Sequence, residues 1–493
     1  MSSCDILLMA IPVRRNTGSK PPDLPLEIWL EIFQFATHVH RATTIAPLDP
    51  FTLKHVSHNA MGSNTPLFSL RTKCALVLVC RSWRRIAVQI LYQYIVIRSP
   101  RRADMILATL QGRYQIDSPV AARRCEYGQW TRHIGVYTHA RGAKSLRYLH
   151  TVFLILQCCP NLRMFSGTWV HQLPIQFLNG ISQLYGSSLQ GLYWNEQRQS
   201  PDLNNTLATP EFLASFRSLH ILDLSHFIGS DLSERTKTTL QTPTLPCVQD
   251  IILSTHPQSL RIATFLTLPA LRHLTLKTPI TAPILDDLIT AFLKAHGLSL
   301  TSVDLPTPSP GYEPEPDTVP QQSRRSAQHV NPSAFLEPHT CPNLVSITFP
   351  CASPLLAPHI HTSLRRIGLR DVKSEALYPD KPTHTRAHLM SFTRNVYPNL
   401  EVIRTIGFLV GAKTEKDSFI WWTERFDKQG VDFQDGEGVL WFYLDPDVGP
   451  DGRVHGDLGG DGNESVGVSK AIEKPGTEID LEQKVSKFIV TKS

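Results

Sequence analysis

The chain has 493 residues, 41% of them apolar and 19% charged, with a formal net charge of +6. This is enough apolar material for a sizeable hydrophobic core, which excludes a wholly disordered protein. No apolar run in the sequence approaches the roughly 18 residues that a membrane helix requires, so we do not expect a membrane protein.

The cysteines and the N-terminus indicate the cellular compartment. Nine cysteines are scattered along the chain without a Cys-x-x-Cys pair, a pattern typical of reduced thiols rather than of a disulfide framework. Arg14 and Arg15 follow the first apolar stretch, whereas a secretory signal peptide carries its positive charge before it. We therefore expect a cytoplasmic or nuclear protein.

The N-terminal part predicts a flexible leader at residues 1–20 and a helical module at residues 21–98. Pro25 suits a first helical turn, where no amide hydrogen is needed. Ile28 and Ile32 then fall on one stripe of the predicted helix.

The second half of this module follows a polar stretch. Residues 38–69 lack a sustained hydrophobic period and predict a loop insertion. Helical spacing then runs from Leu70 to Tyr92, with Val79 and Trp83 on one face. The alternating segment Tyr94–Ile97 predicts a strand that ends the module.

A leucine-led strand pattern recurs through residues 99–443. Stretches with helical spacing, such as Ala143–Cys159 and Ile284–His296, separate some of these short segments. Five of the eight gaps between lead positions span 23 to 30 residues, close to the leucine-rich repeat period of roughly 20–29. The lead positions are Leu162, Leu189, Leu219, Val248, Leu271, Leu300, Leu344, Leu364 and Leu400.

These patterns predict an α/β protein, namely a small all-α module followed by a leucine-rich-repeat-like solenoid with one strand and one helix per repeat. The proline-rich residues 306–338 predict a disordered insertion in the solenoid. Aromatic residues between Asp417 and Trp441 predict a closing helix, followed by a strand at Val439–Tyr443. Residues 444–493 predict a disordered acidic tail.

Residues 24 to 92 resemble the F-box motif. The matching positions are Leu24-Pro25, Glu27-Ile28, Ile32-Phe33, Leu76, Val79-Cys80-Arg81-Ser82-Trp83 and Ala87. The layout of an F-box followed by irregular leucine-rich repeats resembles that of a large set of fungal F-box proteins. The resemblance extends over about residues 21–443, but only its first part carries a motif, and the repeats match by period alone.

The resemblance implies a substrate-recognition adaptor of a cullin-RING (SCF-type) ubiquitin ligase. In this family the F-box binds the linker subunit of the ligase, and the repeats bind the protein substrate, which the sequence does not identify. Carried over by position, the linker-subunit contacts are Leu24, Pro25, Ile28, Ile32 and Phe33, while Val79 and Trp83 hold the helices together or extend the contact. The insertion between the first two helices departs from the short turn usual in the family, and it either loops out or obstructs the partner.

The substrate would meet exposed strand positions on the concave face of the solenoid. The candidates are Arg163, His220, Arg272, His273 and Arg365, whose chemistry indicates at most an acidic surface on the bound protein. In the proline-rich insertion, Thr307 and Ser309 each precede a proline, as proline-directed phosphorylation sites do.

The motifs of several enzyme classes are missing from the sequence. It contains no phosphate-binding loop, no dinucleotide fingerprint, no HExxH and no GxSxG, so we predict neither an enzyme nor a cofactor. His359 and His361 lack a further ligand at suitable spacing, and we expect no metal site. Pairs of arginines are scattered along the chain, and we do not expect a nucleic-acid partner.

Two alternatives to the adaptor remain open. The first is a leucine-rich-repeat interaction scaffold with no ligase role, in which the F-box-like part only caps the end of the solenoid. The second is an enzyme, which would need a convergent polar pocket that the sequence does not reveal.

Overall fold

The computed structural model describes residues 24–39, 49–51, 66–112, 126–138, 142–170, 173–196, 209–227, 242–279, 284–308, 328–411 and 416–442. Within these ranges the architecture is mixed α/β, because helices alternate with the strands of one parallel sheet. The predicted leader and acidic tail lie outside the described residues. None of the helices in the described ranges combines the length and the hydropathy that a bilayer crossing requires.

Three helices precede the sheet: α1 (Leu26–Ala36), α2 (Pro66–Val79) and α3 (Arg81–Tyr92). Their small core contains Phe33, Ile86, Ala87 and Ile90 and is separate from the core of the sheet. The rings of Trp29, Phe33 and Trp83 meet with centroids 4.8 to 5.8 Å apart, and this cluster joins α1 to α3.

The helical spacing predicted from Leu70 to Tyr92 corresponds to two helices that are separated at one residue. The chain breaks at Cys80, which has an extended backbone (φ −160°, ψ 172°). The Cys80 thiol accepts a hydrogen bond from the Trp83 amide at 3.5 Å and so caps α3. Because α2 begins at Pro66, the loop also ends before the predicted residue 69.

In the part of the chain that the structure describes, the sheet has twelve parallel strands in sequence order. Each strand therefore pairs with the strands immediately before and after it in the chain, as expected of stacked repeats. The strands are β1 (Tyr94–Ile97), β2 (His133–Tyr137), β3 (Met164–Trp169), β4 (Gly191–Glu196), β5 (Ile221–His226), β6 (Asp250–Ser254), β7 (His273–Lys277), β8 (Ser302–Asp304), β9 (Ser346–Pro350), β10 (Arg366–Arg370), β11 (Val402–Ile406) and β12 (Asp432–Gln434).

Helices connect many of these strands, and the predicted helices at 143–159 and 284–296 are confirmed. The connecting helices are Pro100–Leu110, Leu146–Gln157, Ile175–Tyr185, Pro210–Ala214, Pro257–Phe265, Asp286–His296, Ser333–Leu336, His384–Ser391 and Lys416–Asp427. Their apolar faces cover one side of the sheet and form with it a single long hydrophobic core.

The predicted ladder of lead residues is confirmed. All nine lead side chains, from Leu162 to Leu400, are at most 1% exposed and lie in the core. The Pro-Asn-Leu triplets add a second ladder, because each asparagine amide reaches back to a carbonyl of the preceding repeat. Asn161 donates to Gln129, Asn343 to Leu298 and Asn399 to Thr362, at 2.7 to 2.9 Å.

Two predictions near the C-terminal half need correction. Residues 439–442 of the predicted strand Val439–Tyr443 form no strand, and the last strand in the described ranges is β12. Tyr443 lies outside the described residues. Disorder was also wrong for residues 328–338, which include the helix Ser333–Leu336 with Phe335 and Leu336 buried in the core. Residues 309–327 of that insertion lie outside the described ranges.

Candidate functional site

One face of the sheet packs against the helices, and the other carries polar side chains. We call the second the open face and define it by His273, Arg366 and Arg404. Each of the three has a direct neighbour in the core, namely Leu274, Ile367 and Ile403. Because successive side chains of a β-strand point to opposite faces, the three polar residues lie on the side away from the core.

A segment from the N-terminal insertion, Asp49-Pro50-Phe51, lies on this open face. One Asp49 carboxylate oxygen is 3.1 Å from the Nη1 atom of Arg366. The other oxygen accepts the amide hydrogen of Phe51 at 2.9 Å and closes a tight turn. The carboxylate therefore shapes the segment and also binds it to β10.

Phe51 lies between two guanidinium groups. Its ring centroid is 4.8 Å from the Cζ atom of Arg366 and 5.6 Å from that of Arg404, distances typical of cation–π contacts. Arg404 also donates a hydrogen bond to the Phe51 carbonyl. Pro50 and Phe51 are both buried, so the segment is docked on the sheet by all three of its residues.

Arg404 is held in place from the far side by β12. Its Nε and Nη2 atoms donate to the side-chain carbonyl of Gln434 at 3.1 and 2.6 Å. Burial lowers the pKa of Arg404, while Asp49 and Asp435 raise it. An arginine keeps its charge in such a setting, and the two carboxylates offset the cost of burying it.

A second ion pair lies farther along β10. Arg370 of β10 bonds the same Asp304 oxygen through Nη2 at 2.8 Å and Nε at 3.2 Å, with both side chains 14% exposed. Thr348 of β9 donates its hydroxyl to that carboxylate as well. Asp304 therefore ties together β8, β9 and β10.

The middle of the sheet carries carboxylates. Asp223 accepts a hydrogen bond from Lys277 at 3.4 Å. Asp250 is 8% exposed and pairs in register with Ile221 and His273, and its burial raises its pKa to about 7.

Asp250 predicts a pH dependence of stability. Because its pKa in the folded chain lies above the unfolded value, the folded state binds the proton more tightly, and stability falls as the pH rises from about 4 to 7. Between pH 5 and pH 8 the ionisation of Asp250 should lower the free energy of unfolding of the wild type by roughly 3 kcal/mol. The variant Asp250→Asn should lack this decrease. Urea unfolding at the two pH values measures this difference, and equal pH dependence in both proteins would refute it.

The predicted substrate-binding residues were displaced by one position, with one exception. Arg163, His220, Arg272 and Arg365 lie immediately before β3, β5, β7 and β10 rather than in the strands. Their backbone amides donate hydrogen bonds to carbonyl groups of the preceding repeat. The side chain of Arg365 forms an exposed ion pair with Glu401. His273 alone lies in a strand and on the open face, where burial lowers its pKa and Asp49 raises it.

Sequence reasoning missed the residues that hold Asp49–Phe51. Arg366 could have been found from the alternation of Ile367 and Leu369, because the residue before Ile367 must face away from the core, and Arg404 from its place directly after Ile403. Asp49 carries no such signal, since the contact joins residues 317 positions apart.

The residues predicted to meet a linker subunit divide into two groups. Leu24, Pro25, Ile28, Ile32 and Val79 are exposed. The prediction for Phe33 was wrong, because its ring is 1% exposed and packs between Trp29 and Trp83 in the core of the three helices. Trp83 is half-buried in the same cluster, which agrees with its predicted role of holding the helices together.

A cavity of about 890 Å³ lies between the three helices and the first repeats. Its described lining includes no acidic side chain, and Arg163 contributes to it. Burial lowers the pKa of Lys73, another lining residue. The basic lining residues are Lys73, Arg98, Arg102, Arg132 and Arg163.

Within the described ranges, His361 and Cys159 are packed side chains rather than a metal ligand and a nucleophile. No group of three or more histidine, cysteine or acidic residues there is arranged to hold a metal ion. His361 is buried and contacts the Cys341 carbonyl at 3.0 Å. Burial raises the pKa of the Cys159 thiol to about 12, so it is a packed side chain and not a thiolate.

The phosphorylation prediction for Thr307 and Ser309 remains a prediction. The Thr307 hydroxyl is exposed and donates to the Asp371 carboxylate at 2.5 Å. Ser309 lies outside the described residues.

No family model matches the chain, and no curated protein matches it. A solved complex of Rad7 and Elc1 in yeast is similar at 10% sequence identity, with a TM-score of 0.27, over 67% of this chain and 91% of that chain. A likeness of this degree carries no argument, so function has to be argued from the residues of this chain.

Proposed function

We propose that the chain is a substrate-recognition adaptor of a cullin-RING (SCF-type) ubiquitin ligase. In this proposal α1 and α2 bind the linker subunit, and the open face of the sheet binds the protein to be modified. The chain itself has no catalytic role. The observation that carries the proposal is that α1 is apolar on two opposite sides, of which only one is packed.

The packed side of α1 carries Trp29, Leu30 and Phe33, which contact α3 and its neighbours. Ile28, Ile32 and Phe35 follow the helical spacing of four and three residues, so they form one stripe on the other side. These three side chains are 42%, 42% and 84% exposed. A stripe of large apolar side chains on a short helix is a usual way for a helix to enter a partner's groove.

The helix α2 adds a second apolar surface to this stripe. Leu67, Leu70, Leu78 and Val79 are each at least 45% exposed. Scattered single apolar residues need no explanation, but two helices that both present apolar side chains to solvent indicate a binding surface. The F-box resemblance of residues 24 to 92 supports a linker subunit as the partner of that surface.

Replacing Ile28 and Ile32 together by aspartate should reduce binding of the linker subunit by about 100-fold or more, since two apolar anchors are lost from the centre of the contact. Both side chains are exposed, so the fold should survive. A pull-down with purified linker subunit measures this, with Leu24→Ala/Pro25→Ala as a milder variant. The matched control is Leu146→Asp, which changes an exposed leucine on a repeat helix and should bind as the wild type does.

A wild-type chain that fails to bind the linker subunit would contradict the adaptor proposal. Binding that survives Ile28→Asp/Ile32→Asp would contradict the assigned surface.

The second candidate function is a repeat scaffold whose three helices only cap the solenoid. It is favoured by one contact, the stacking of Tyr92 at the end of α3 on Tyr127 at a centroid distance of 4.8 Å. A cap alone predicts that deletion of residues 21–98 lowers the melting temperature, because β2 loses its neighbour β1, while every protein partner is retained.

A further inference from the structure

Arg366 and Arg404 form a site that already holds a peptide segment. Asp49-Pro50-Phe51 comes from the insertion between the first two helices, 317 residues away from Arg366 in the sequence. The segment belongs to no helix or strand, so the contact is not part of regular secondary structure. The segment is nonetheless bound through a carboxylate, an aromatic ring and a backbone carbonyl.

We propose that this site recognises a partner's peptide in which an aspartate stands two residues before an aromatic residue, and that Asp49–Phe51 occupies it as an internal competitor. The proposal extends the proposed function, since it names the chemistry of the protein segment that the open face would bind. The site itself does not depend on the ligase role.

The three contacts define what the site selects. The Arg366 guanidinium forms an ion pair with the carboxylate and a cation–π contact with the ring. One arginine therefore binds an aspartate and an aromatic residue at this spacing together. The second carboxylate oxygen accepts the amide of the aromatic residue, which fixes the turn that brings both groups to the same arginine. Arg404 contacts only the ring and the carbonyl, and it supports any aromatic residue at that position.

The protein is preorganised for this peptide. Gln434 fixes the Arg404 guanidinium by two hydrogen bonds, so little side-chain freedom is lost when a ligand binds. Asp304 holds Arg370 in a separate ion pair farther along the same strand. His273 lies on the same open face, in β7.

Occupation by the chain's own segment makes a partner compete with a tethered ligand. A tethered segment acts at an effective concentration of roughly millimolar, so a partner peptide binds the wild-type chain more weakly than it binds the vacated site. A target protein would need further contacts along the open face to displace Asp49–Phe51. The insertion would thereby restrict binding to target proteins that contact the open face outside this site as well as within it.

The test uses the full chain and a fluorescein-labelled peptide with the sequence of residues 46–53. Fluorescence anisotropy should show that Asp49→Ala/Phe51→Ala, which vacates the site, binds this peptide about tenfold or more tighter than the wild type does. The conservative variant Asp49→Asn keeps the shape of the segment and should bind the peptide with intermediate affinity. Melting curves establish that each variant is folded.

Variants of the site show where the peptide binds. Adding Arg366→Ala to the vacated chain should abolish the gain, whereas adding Arg365→Ala, a neighbouring arginine paired with Glu401, should leave it intact. Peptides with asparagine for the aspartate or alanine for the phenylalanine should bind at least about tenfold more weakly to the vacated chain.

Equal affinity of the vacated and wild-type chains would overturn the proposal, as would binding that is indifferent to Arg366→Ala. No ligase subunit is present in this assay. Its failure therefore leaves the linker-subunit experiment unaffected, and failure of that experiment leaves the peptide site unaffected.

Discussion

Replacing Trp422 by alanine is expected to lower the free energy of unfolding by about 3–5 kcal/mol. Trp422 lies on the closing helix Lys416–Asp427 and is fully buried, with its ring stacked 6.0 Å from that of Phe426. Its indole nitrogen donates to the Leu377 carbonyl at 2.7 Å. Alanine would leave a large cavity at the end of the core and an unpaired buried carbonyl.

The adjacent Trp421 supplies the control for this prediction. It is 40% exposed, so Trp421→Ala should cost no more than about 1 kcal/mol. Urea unfolding of the two variants and the wild type gives both values. Equal losses in the two variants would show that the closing helix is not packed as described.

The second large effect is expected at the ion pair between Arg370 and Asp304. Arg370→Met leaves the Asp304 carboxylate buried without its cation, which should cost about 3–5 kcal/mol. The double variant Arg370→Met/Asp304→Leu removes both charges and should recover most of that loss, because an apolar pair replaces the ion pair at no desolvation cost. Thermal or urea unfolding of the two variants measures the recovery.

The exposed pair of Arg365 and Glu401 tests whether burial is the cause. Its N–O distance is also 2.8 Å, but the side chains are 56% and 55% exposed. Arg365→Met should therefore cost less than about 1 kcal/mol. A loss as large as that of Arg370→Met would contradict the account, since the two arginines differ mainly in exposure to water.

Much of the sheet could be predicted from the sequence. The period of the lead residues from Leu162 to Leu400 depends on burial alone, and every one of them is in the core. The strand Tyr94–Ile97 was also predicted with its observed bounds. Local alternation suffices for these elements because each repeat packs mainly against its neighbours.

The failures have local physical causes. The break at Cys80 was missed because no glycine or proline marks it, and the cap is formed by a thiol. The predicted strand Val439–Tyr443 was a continuous run of apolar residues, yet Asp432–Gln434 pairs with β11 and forms the last strand of the described sheet. Arg365 was chosen because it follows the buried lead residue Leu364, but Leu364 lies before the strand, and the alternation that begins at Ile367 puts Arg366 on the open face.

The sequence indicated that α1 carries the candidate partner surface, but it did not show which apolar residues of α1 are exposed and which are packed against α3. Ile28, Ile32 and Phe33 are equally apolar, and only the position of α3 separates the exposed isoleucines from the buried phenylalanine. The contact of Asp49 with Arg366 could not be predicted at all, because no periodicity relates an insertion to a strand more than 300 residues later.

The most direct test of the adaptor proposal is hydrogen–deuterium exchange of the full chain with and without the linker subunit. We predict that binding slows exchange in Leu26–Ala36 and Pro66–Val79 and leaves the strands from Met164 to Ile406 unchanged. A complex that forms without protection of these two helices, or no complex at all, would contradict the proposal.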